Sequence, residues 1–352
     1  MDIRPQLSDA AKAVTDHGGS LVRAAALFPD APTPWLDLST GINPHPYPFS
    51  PLPATAYTRL PEGTRLAELT ALAARVYGAP DGAHVAAAPG TQILLPLVAS
   101  LLAAGPAMVL APTYAEHARA ATLAGHAVEE VEDFERLFAA RLAIVVNPNN
   151  PDGRVVFRDR LLELAAHLGG KGGLLVVDEA FMDVGPRAES VAGDVAAGGL
   201  VVLRSFGKFF GLAGVRLGFA IAAPATAARL AGWLGPWAVA GPALDIGLAA
   251  LADDAWQETM RRRLAADAAR LDKALAAHGL AVAGGTDLFR FLRAPAAAGL
   301  FETFGRHGIL VRRFAGRPDC LRLGLPGDEA GHARLEMALQ AWQGAGGKAR
   351  IG

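Results

Sequence analysis

The sequence predicts an α/β fold, with a mostly parallel sheet flanked by helices in a large domain and a smaller α/β domain at the C-terminal end. Three observations predict it. Short apolar runs alternate with longer helical patterns through the middle of the chain, as strand–helix–strand units do. Several of the short runs are apolar throughout, the mark of strands buried on both faces. The 352 residues, 52% hydrophobic and 19% charged, can bury a substantial core, which excludes a disordered or fibrous chain.

The elements follow in order. The first 45 residues lack strong periodicity and carry the loop Gly41-Ile42-Asn43-Pro44-His45-Pro46. They are read as an arm, residues 1–49, packing at the domain junction. The large domain is placed at 50–245. Its strands are expected at 85–88, 107–110, 127–131, 142–146, 174–177, 201–205 and 217–221, with helices near 91–104, 114–124, 158–168 and 223–234. After Gly241-Pro242 a long helical stretch rich in Ala, Leu and Arg covers about 243–278. The small domain, 246–352, continues with a strand near 287–292, a helix near 295–307, strands at 309–312 and 320–323, and a last helix near 328–343. The Ala-rich tracts are helix formers, and no internal repeat stands out.

Composition narrows the function. A net charge of -1, from 33 basic and 34 acidic residues, offers no basic excess to nucleic acid or an acidic membrane surface. A single cysteine, Cys320, excludes an internal disulfide and a CxxC metal or redox site, so no metal is expected, and the composition fits a reducing, cytoplasmic setting. The N-terminal MDIRPQLSDAAKAVTDHGGS has no long apolar stretch behind its charges, unlike a secretory signal. Residues 85–114 carry no Asp, Glu, Lys or Arg, yet Pro89, Gly90, Pro96, Gly105, Pro106 and Pro112 interrupt them. A membrane helix needs about 20 unbroken apolar residues, so this segment reads as strand, helix, turn and strand.

Five stretches carry chemistry, each at the end of an expected strand. The first is Ser205-Phe206-Gly207-Lys208, continuing through Gly211, Gly214, Arg216 and Gly218. Burial favours a neutral lysine amine, which can condense with an aldehyde. Arg216 offers a planar fork to a phosphate, and glycines permit close backbone approach. The alternative is a Gly-rich loop with two solvated charges. The second is Asp178-Glu179, closing an apolar run where α/β sheets bind ligands. Such a carboxylate can pair with a protonated ring nitrogen, or cap a helix, or bind a metal. The third, Asn147-Pro148-Asn149-Asn150-Pro151-Asp152-Gly153, is a stiffened loop whose amides can donate to an oxyanion, or a plain turn. The fourth, Pro89-Gly90-Thr91, opens a helix whose N-terminus can hold a phosphate. The fifth sets Tyr114 at a strand end, able to stack on a ring or simply to pack.

The order and spacing of these stretches, above all the lysine loop and the Asn-Pro loop, resemble the fold type I pyridoxal-phosphate enzymes, specifically the histidinol-phosphate aminotransferase-like group. The resemblance spans residues 17 to about 340. Within the group, His17-Gly18-Gly19 and Ser39-Thr40-Gly41-Ile42-Asn43-Pro44 are similar to the threonine-phosphate decarboxylase branch, tied to cobalamin biosynthesis. The resemblance implies pyridoxal 5'-phosphate bound covalently by Lys208. Asp178 would pair with the ring nitrogen, Asn150 would hydrogen-bond the phenolic oxygen, and Tyr114 would stack on the ring. Gly90, Thr91, Ser205 and Arg216 would cradle the cofactor phosphate. Arg322 matches the family arginine for the substrate carboxylate, while Arg312 and His17 are candidates for the substrate's own phosphate. The activity implied is decarboxylation of a small phosphorylated amino acid by a homodimer, with a histidinol-phosphate or related aminotransferase as the alternative. A non-catalytic sensing module of a regulator would need an attached DNA-binding unit, for which the roughly 16 residues before His17 leave no room. Two departures from the group stand out. Phe181 replaces a frequent tyrosine, and Leu60-Pro61-Glu62 stands where many relatives carry Tyr-Pro-Asp, with Tyr57 or Arg59 nearby.

Overall fold

A computed structural model describes residues 17–344, so most of the N-terminal segment read above as no secretory signal lies outside the described residues. In chain order the elements are α1 (Leu21–Leu27), β1 (Leu36–Asp37), α2 (Thr55–Thr58), α3 (Gly63–Tyr77), β2 (Val85–Ala88), α4 (Thr91–Ala99), β3 (Pro106–Leu110), α5 (Glu116–Leu123), β4 (Ala127–Val131), β5 (Leu142–Val146), α6 (Arg158–Gly169), β6 (Leu174–Asp178) and β7 (Leu200–Ser205). There follow α7 (Phe206–Phe209), β8 (Gly218–Ala222), α8 (Pro224–Leu234), α9 (Gly241–Ala252), α10 (Asp254–Ala277), β9 (Val282–Thr286), β10 (Phe289–Arg293), α11 (Ala297–Arg306), β11 (Ile309–Leu310), β12 (Arg312–Phe314), β13 (Arg317–Gly324) and α12 (Glu329–Gly344). Among the described residues no helix is long and apolar enough to cross a membrane.

Two compact units result. Of the described residues the larger unit takes 47–150 and 155–254, the smaller 17–46, 151–154 and 255–344. The larger unit is built on a seven-stranded sheet in the order β2-β8-β7-β6-β5-β3-β4. The five strands from β7 to β4 run parallel, while β8 runs against both of its neighbours. Strands β5 and β6 are buried along their whole length, because helices cover both faces of a parallel sheet. Leu94 and Val98 of α4 and Ala120 and Ala121 of α5 pack on Val109, Ile144, Val176 and Leu203 on one of these faces.

Several expectations are corrected here. No helix was foreseen at α3, yet it buries Leu69, Ala73, Ala74 and Tyr77 and ends at Gly78 in the left-handed region. Alanines at two of the four buried positions blur the apolar stripe that would have announced it. The helix expected at 91–104 stops at Ala99, where the Ser100 hydroxyl donates to the carbonyl of Pro96 at 2.8 Å. The strand expected at 217–221 begins one residue later, at Gly218. The long helical stretch is two helices, broken at Asp253, whose ψ of 75° leaves the helical region.

The smaller unit holds a four-stranded antiparallel sheet, β12-β13-β10-β9, and a parallel pair, β1-β11. The strand expected at 309–312 is divided at Val311. Ile309 and Leu310 pair with Leu36 and Asp37, whereas Arg312 turns to pair with β13. Strand β9 was unforeseen because Gly284 and Gly285 interrupt its apolar pattern. A Cβ on Gly284 would lie 2.2 Å from the Asp152 carbonyl oxygen, so the glycine marks a close backbone approach.

Candidate active site

The register of the large sheet brings eight of the sequence-selected residues to one edge. Val146 pairs with Asp178, and Asp178 with Leu203, near the C-terminal ends of β5, β6 and β7. Because β8 is antiparallel, its first residue, Gly218, pairs with both Ser205 and Ala88. Gly90 and Thr91 after β2, Tyr114 after β3, Asn150 after β5, Asp178 closing β6, Ser205 and Lys208 at the end of β7, and Arg216 before β8 therefore share that edge.

At one end of the edge is an anion cradle. Gly90 caps α4 with φ 86° and ψ 160°, a conformation open essentially to glycine alone. A Cβ there would lie 2.5 Å from Nη2 of Arg216. Arg216 is itself left-handed at φ 55°, and its Nη1 donates to the Ala213 carbonyl at 3.0 Å. The first turn of α4 presents backbone N–H groups without helical partners, and with a guanidinium beside them they suit a phosphate. Lys208 sits half-buried on α7, its Nζ 5.6 Å from the centroid of the buried Phe181 ring. The turn is held by Phe206 stacked on Phe210 at 4.4 Å and Phe209 set edge-on to Phe210 at 5.1 Å. Gly207 lets the following loop fold back, since a Cβ would come within 2.8 Å of the Ala213 Cα.

Asp178 is buried, with His117 Nε2 at 2.9 Å from Oδ2 and the Ala180 N–H donating to Oδ1 at 3.0 Å. His117 was not foreseen. Its only signal was its place three residues after Tyr114, in the first turn of α5, where the Tyr114 ring meets it edge-on at 5.9 Å. The Tyr114 hydroxyl donates to Gln92 Oε1 at 3.0 Å. In the Asn-Pro loop, Asn147 exchanges two hydrogen bonds with Val156, and Asn149 accepts from Thr113 Oγ1 at 2.7 Å and donates to the Pro112 carbonyl at 2.9 Å. These two asparagines, part of the loop motif but given no role of their own there, pin the loop that carries half-buried Asn150.

Glu179 turns the other way, as strand alternation requires. It is fully buried and accepts from Arg204 at 2.8 Å, Ser190 at 2.6 Å and the Val191 N–H at 2.9 Å. Arg204 also donates to Asp183 at 2.9 Å, and its guanidinium lies 4.4 Å from the Tyr77 ring centroid. Burial pushes the Glu179 carboxyl above its usual range, against the pull of Arg204.

The smaller unit carries a separate basic group. Arg322 is buried, donates to the Ser39 carbonyl at 2.8 Å and lies over the Phe289 ring. Burial first, and the charge of Arg312 second, push its guanidinium down to about 9, with Asp37 pulling the other way. Arg312 is the register partner of Arg322 on the adjacent strand. It lines a cavity shared with His17, Arg23, Ser39 and Arg313. Arg23, Ser39 and Arg313 were not singled out for contacts of this kind.

An amine for an aldehyde, a held carboxylate and a phosphate cradle on one edge are the donor set that pyridoxal phosphate needs. Among the described residues no cluster of three or more His, Cys, Asp or Glu side chains could hold a metal ion.

Comparison with known proteins assigns the chain. The family profile described as aminotransferase class I and II matches residues 54–337. The threonine-phosphate decarboxylase of Pseudomonas aeruginosa is 45% identical over 92% of this chain and 97% of its own. A histidinol-phosphate aminotransferase of Sodalis glossinidius is 31% identical over 60% of this chain and 64% of its own. The crystal structure of the histidinol-phosphate aminotransferase from Clostridium acetobutylicum superposes with a TM-score of 0.76 at 21% identity, covering 88% of this chain and 99% of that one. The chain belongs to the class I and II aminotransferase family of pyridoxal-phosphate enzymes and, within it, to the family of the threonine-phosphate decarboxylases.

Proposed function

We propose that this protein decarboxylates L-threonine O-3-phosphate to (R)-1-amino-2-propanol O-2-phosphate, the precursor of an aminopropanol arm in cobalamin biosynthesis. The observation that carries the reading is the pairing of Arg312 with Arg322 across β12 and β13, next to a cavity that His17 also lines. Such a group suits a substrate with an anion at each end. Arg322 takes the carboxylate, and Arg312 with His17 takes the phosphate.

In the larger unit Lys208 Nζ would hold the cofactor. Asp178, fixed by His117, would keep a proton on the ring nitrogen. Gly90, Thr91, Ser205 and Arg216 would hold the cofactor phosphate, Tyr114 would pack on the ring, and Asn150 would donate to the phenolic oxygen. The bound group supplies an electron sink for the pair left on the α-carbon as carbon dioxide departs. Phe181 stands where many relatives carry a tyrosine, so the hydrogen bond that a tyrosine hydroxyl there would give the phenolic oxygen is missing. Lys208 Nζ would return the proton to the α-carbon. Holding both ends of a short substrate fixes rotation about its N–Cα bond, and that rotation decides whether the carboxylate or the hydrogen leaves. We also read the protein as a cytoplasmic homodimer. Phe49, Tyr57 and Leu60 of the larger unit are 47%, 68% and 63% exposed.

The test offers two substrates to the purified holoenzyme. Threonine phosphate alone should yield carbon dioxide and the amine, with no keto acid required. Histidinol phosphate with 2-oxoglutarate should yield little glutamate. Efficient glutamate formation, with no carbon dioxide from threonine phosphate, would assign an aminotransferase instead.

A further inference from the structure

Ser39 is almost fully buried and every polar group on it is engaged. Its hydroxyl accepts from the Gly19 N–H at 2.7 Å and donates to Asp37 Oδ1 at 2.6 Å. Its own N–H donates to the same carboxylate oxygen at 2.8 Å. Its carbonyl accepts from Arg322 Nη2 at 2.8 Å. One residue thus touches both the segment that begins with His17 and the buried arginine of β13.

The glycines of this segment fit the contact. A Cβ on Gly18 would lie 2.6 Å from the Ser39 carbonyl oxygen and 2.8 Å from its hydroxyl oxygen, and Gly19 has φ 88°. Only a chain without side chains can lie flat on Ser39 here. Asp37 commits the hydroxyl proton, which leaves an oxygen lone pair for Gly19. Asp37 is in turn fixed by β1, paired in register with β11 one residue before Val311 and Arg312.

We propose that Ser39 is a positioning residue that sets the separation between the carboxylate-binding Arg322 and the phosphate-binding His17 and Arg312, and so selects substrates phosphorylated at the right distance from the α-carboxylate. The inference rests on the functional reading above. Ser39 itself touches no reacting atom. It acts by latching Gly18 and Gly19, and therefore His17, onto the residue that Arg322 also holds.

The test uses the holoenzyme, with Ser39→Ala to remove the latch and Gly18→Ala to lift the segment from it. Turnover of threonine phosphate is measured together with the thermal shift produced by inorganic phosphate, which is read without turnover. The KM should rise about tenfold in both variants with kcat changed less than twofold, and about tenfold more phosphate should be needed for the same shift. A KM and a phosphate response like those of the wild type in either variant would overturn the latch. So would a phosphate response absent from the wild type, or a fall in unliganded melting temperature that fully accounts for the loss of activity. If wild type releases no carbon dioxide but the variants still weaken its phosphate response, the latch stands and the functional reading falls.

Discussion

Arg312 and Arg322 stand opposite each other on neighbouring antiparallel strands. Like charges in such a pair repel, and burial of Arg322 removes the water that would screen them. In the function proposed above, the substrate's two anions would offset this repulsion.

The sign of that cost can be tested. The Arg322 guanidinium is pushed down to about 9 in the folded chain, well below its ordinary value in the unfolded chain. The unfolded state then binds more protons between these values, so stability rises with pH across that window, and below about 9 the folded chain bears the full cost. At pH 7 an anion that binds beside Arg322 should offset it. The melting temperature of wild type is expected to climb with added threonine phosphate, and to climb less in Arg322→Gln, where only the phosphate contact to Arg312 and His17 is left.

Removing Arg312 should act on the substrate alone. A charged contact to phosphate contributes ~1.5–3 kcal/mol, so Arg312→Ala should raise the KM for threonine phosphate at least about tenfold. Cofactor absorbance should be unchanged, since Arg312 belongs to the smaller unit. A variant that loses the cofactor, or keeps its KM, would contradict the assignment.

Lys208 should hold the cofactor covalently. The wild type is expected to be yellow, and borohydride reduction followed by peptide mapping should find the label on Lys208. Label recovered from Lys208→Ala at any other lysine would remove this residue from the site.

Gly90→Ala strikes the cradle twice. The backbone at φ 86° and ψ 160° costs a residue with a Cβ ~1–3 kcal/mol, and the new methyl meets the Arg216 guanidinium. Arg216 is exposed and can swing away, so the fold should survive while affinity for the cofactor drops. Titration of the apoenzyme with pyridoxal phosphate measures it.

The acidic pair should separate activity from stability. Asp178→Asn keeps the shape and a partner for His117, and is expected to lose most activity with little change in melting temperature. Glu179→Ala takes one of two carboxylates from buried Arg204, leaving Asp183 and the Tyr77 ring. Weakening a buried ion pair in this way destabilises the fold, visible as a lower denaturation midpoint. Equal effects of the two substitutions on both readouts would undo this division.

What could be read ahead of the structure followed from side-chain contrast. Strands β2, β4 and β5 have the expected limits, because polar or turn-forming residues bound each run. Helix α3 hid behind alanines, and β9 behind two glycines, one of which makes room for the Asp152 carbonyl far away in the chain. The candidate residues at strand ends were visible through unusual local composition. Their supports were not. His117 is an ordinary helical histidine until Asp178, 61 positions on, comes beside it. Ser39 reads as a loop serine until Arg322 reaches it across 283 positions. Contacts of that span leave no local pattern.

The reversed direction of β8 has a consequence for how this chain can vary. Since β7 and β8 are antiparallel neighbours, the connection between Ser205 and Gly218 leaves and re-enters the sheet on the same edge. Lys208 and Arg216 both ride on it, with Phe206, Phe209 and Phe210 wedged beneath and buried. A crossover to a parallel strand absorbs an inserted residue on the far side of the sheet. This short connection has no far side, so one inserted residue would displace the amine or the guanidinium, or change the spacing between them. Any change of its length reaches both ends of the site.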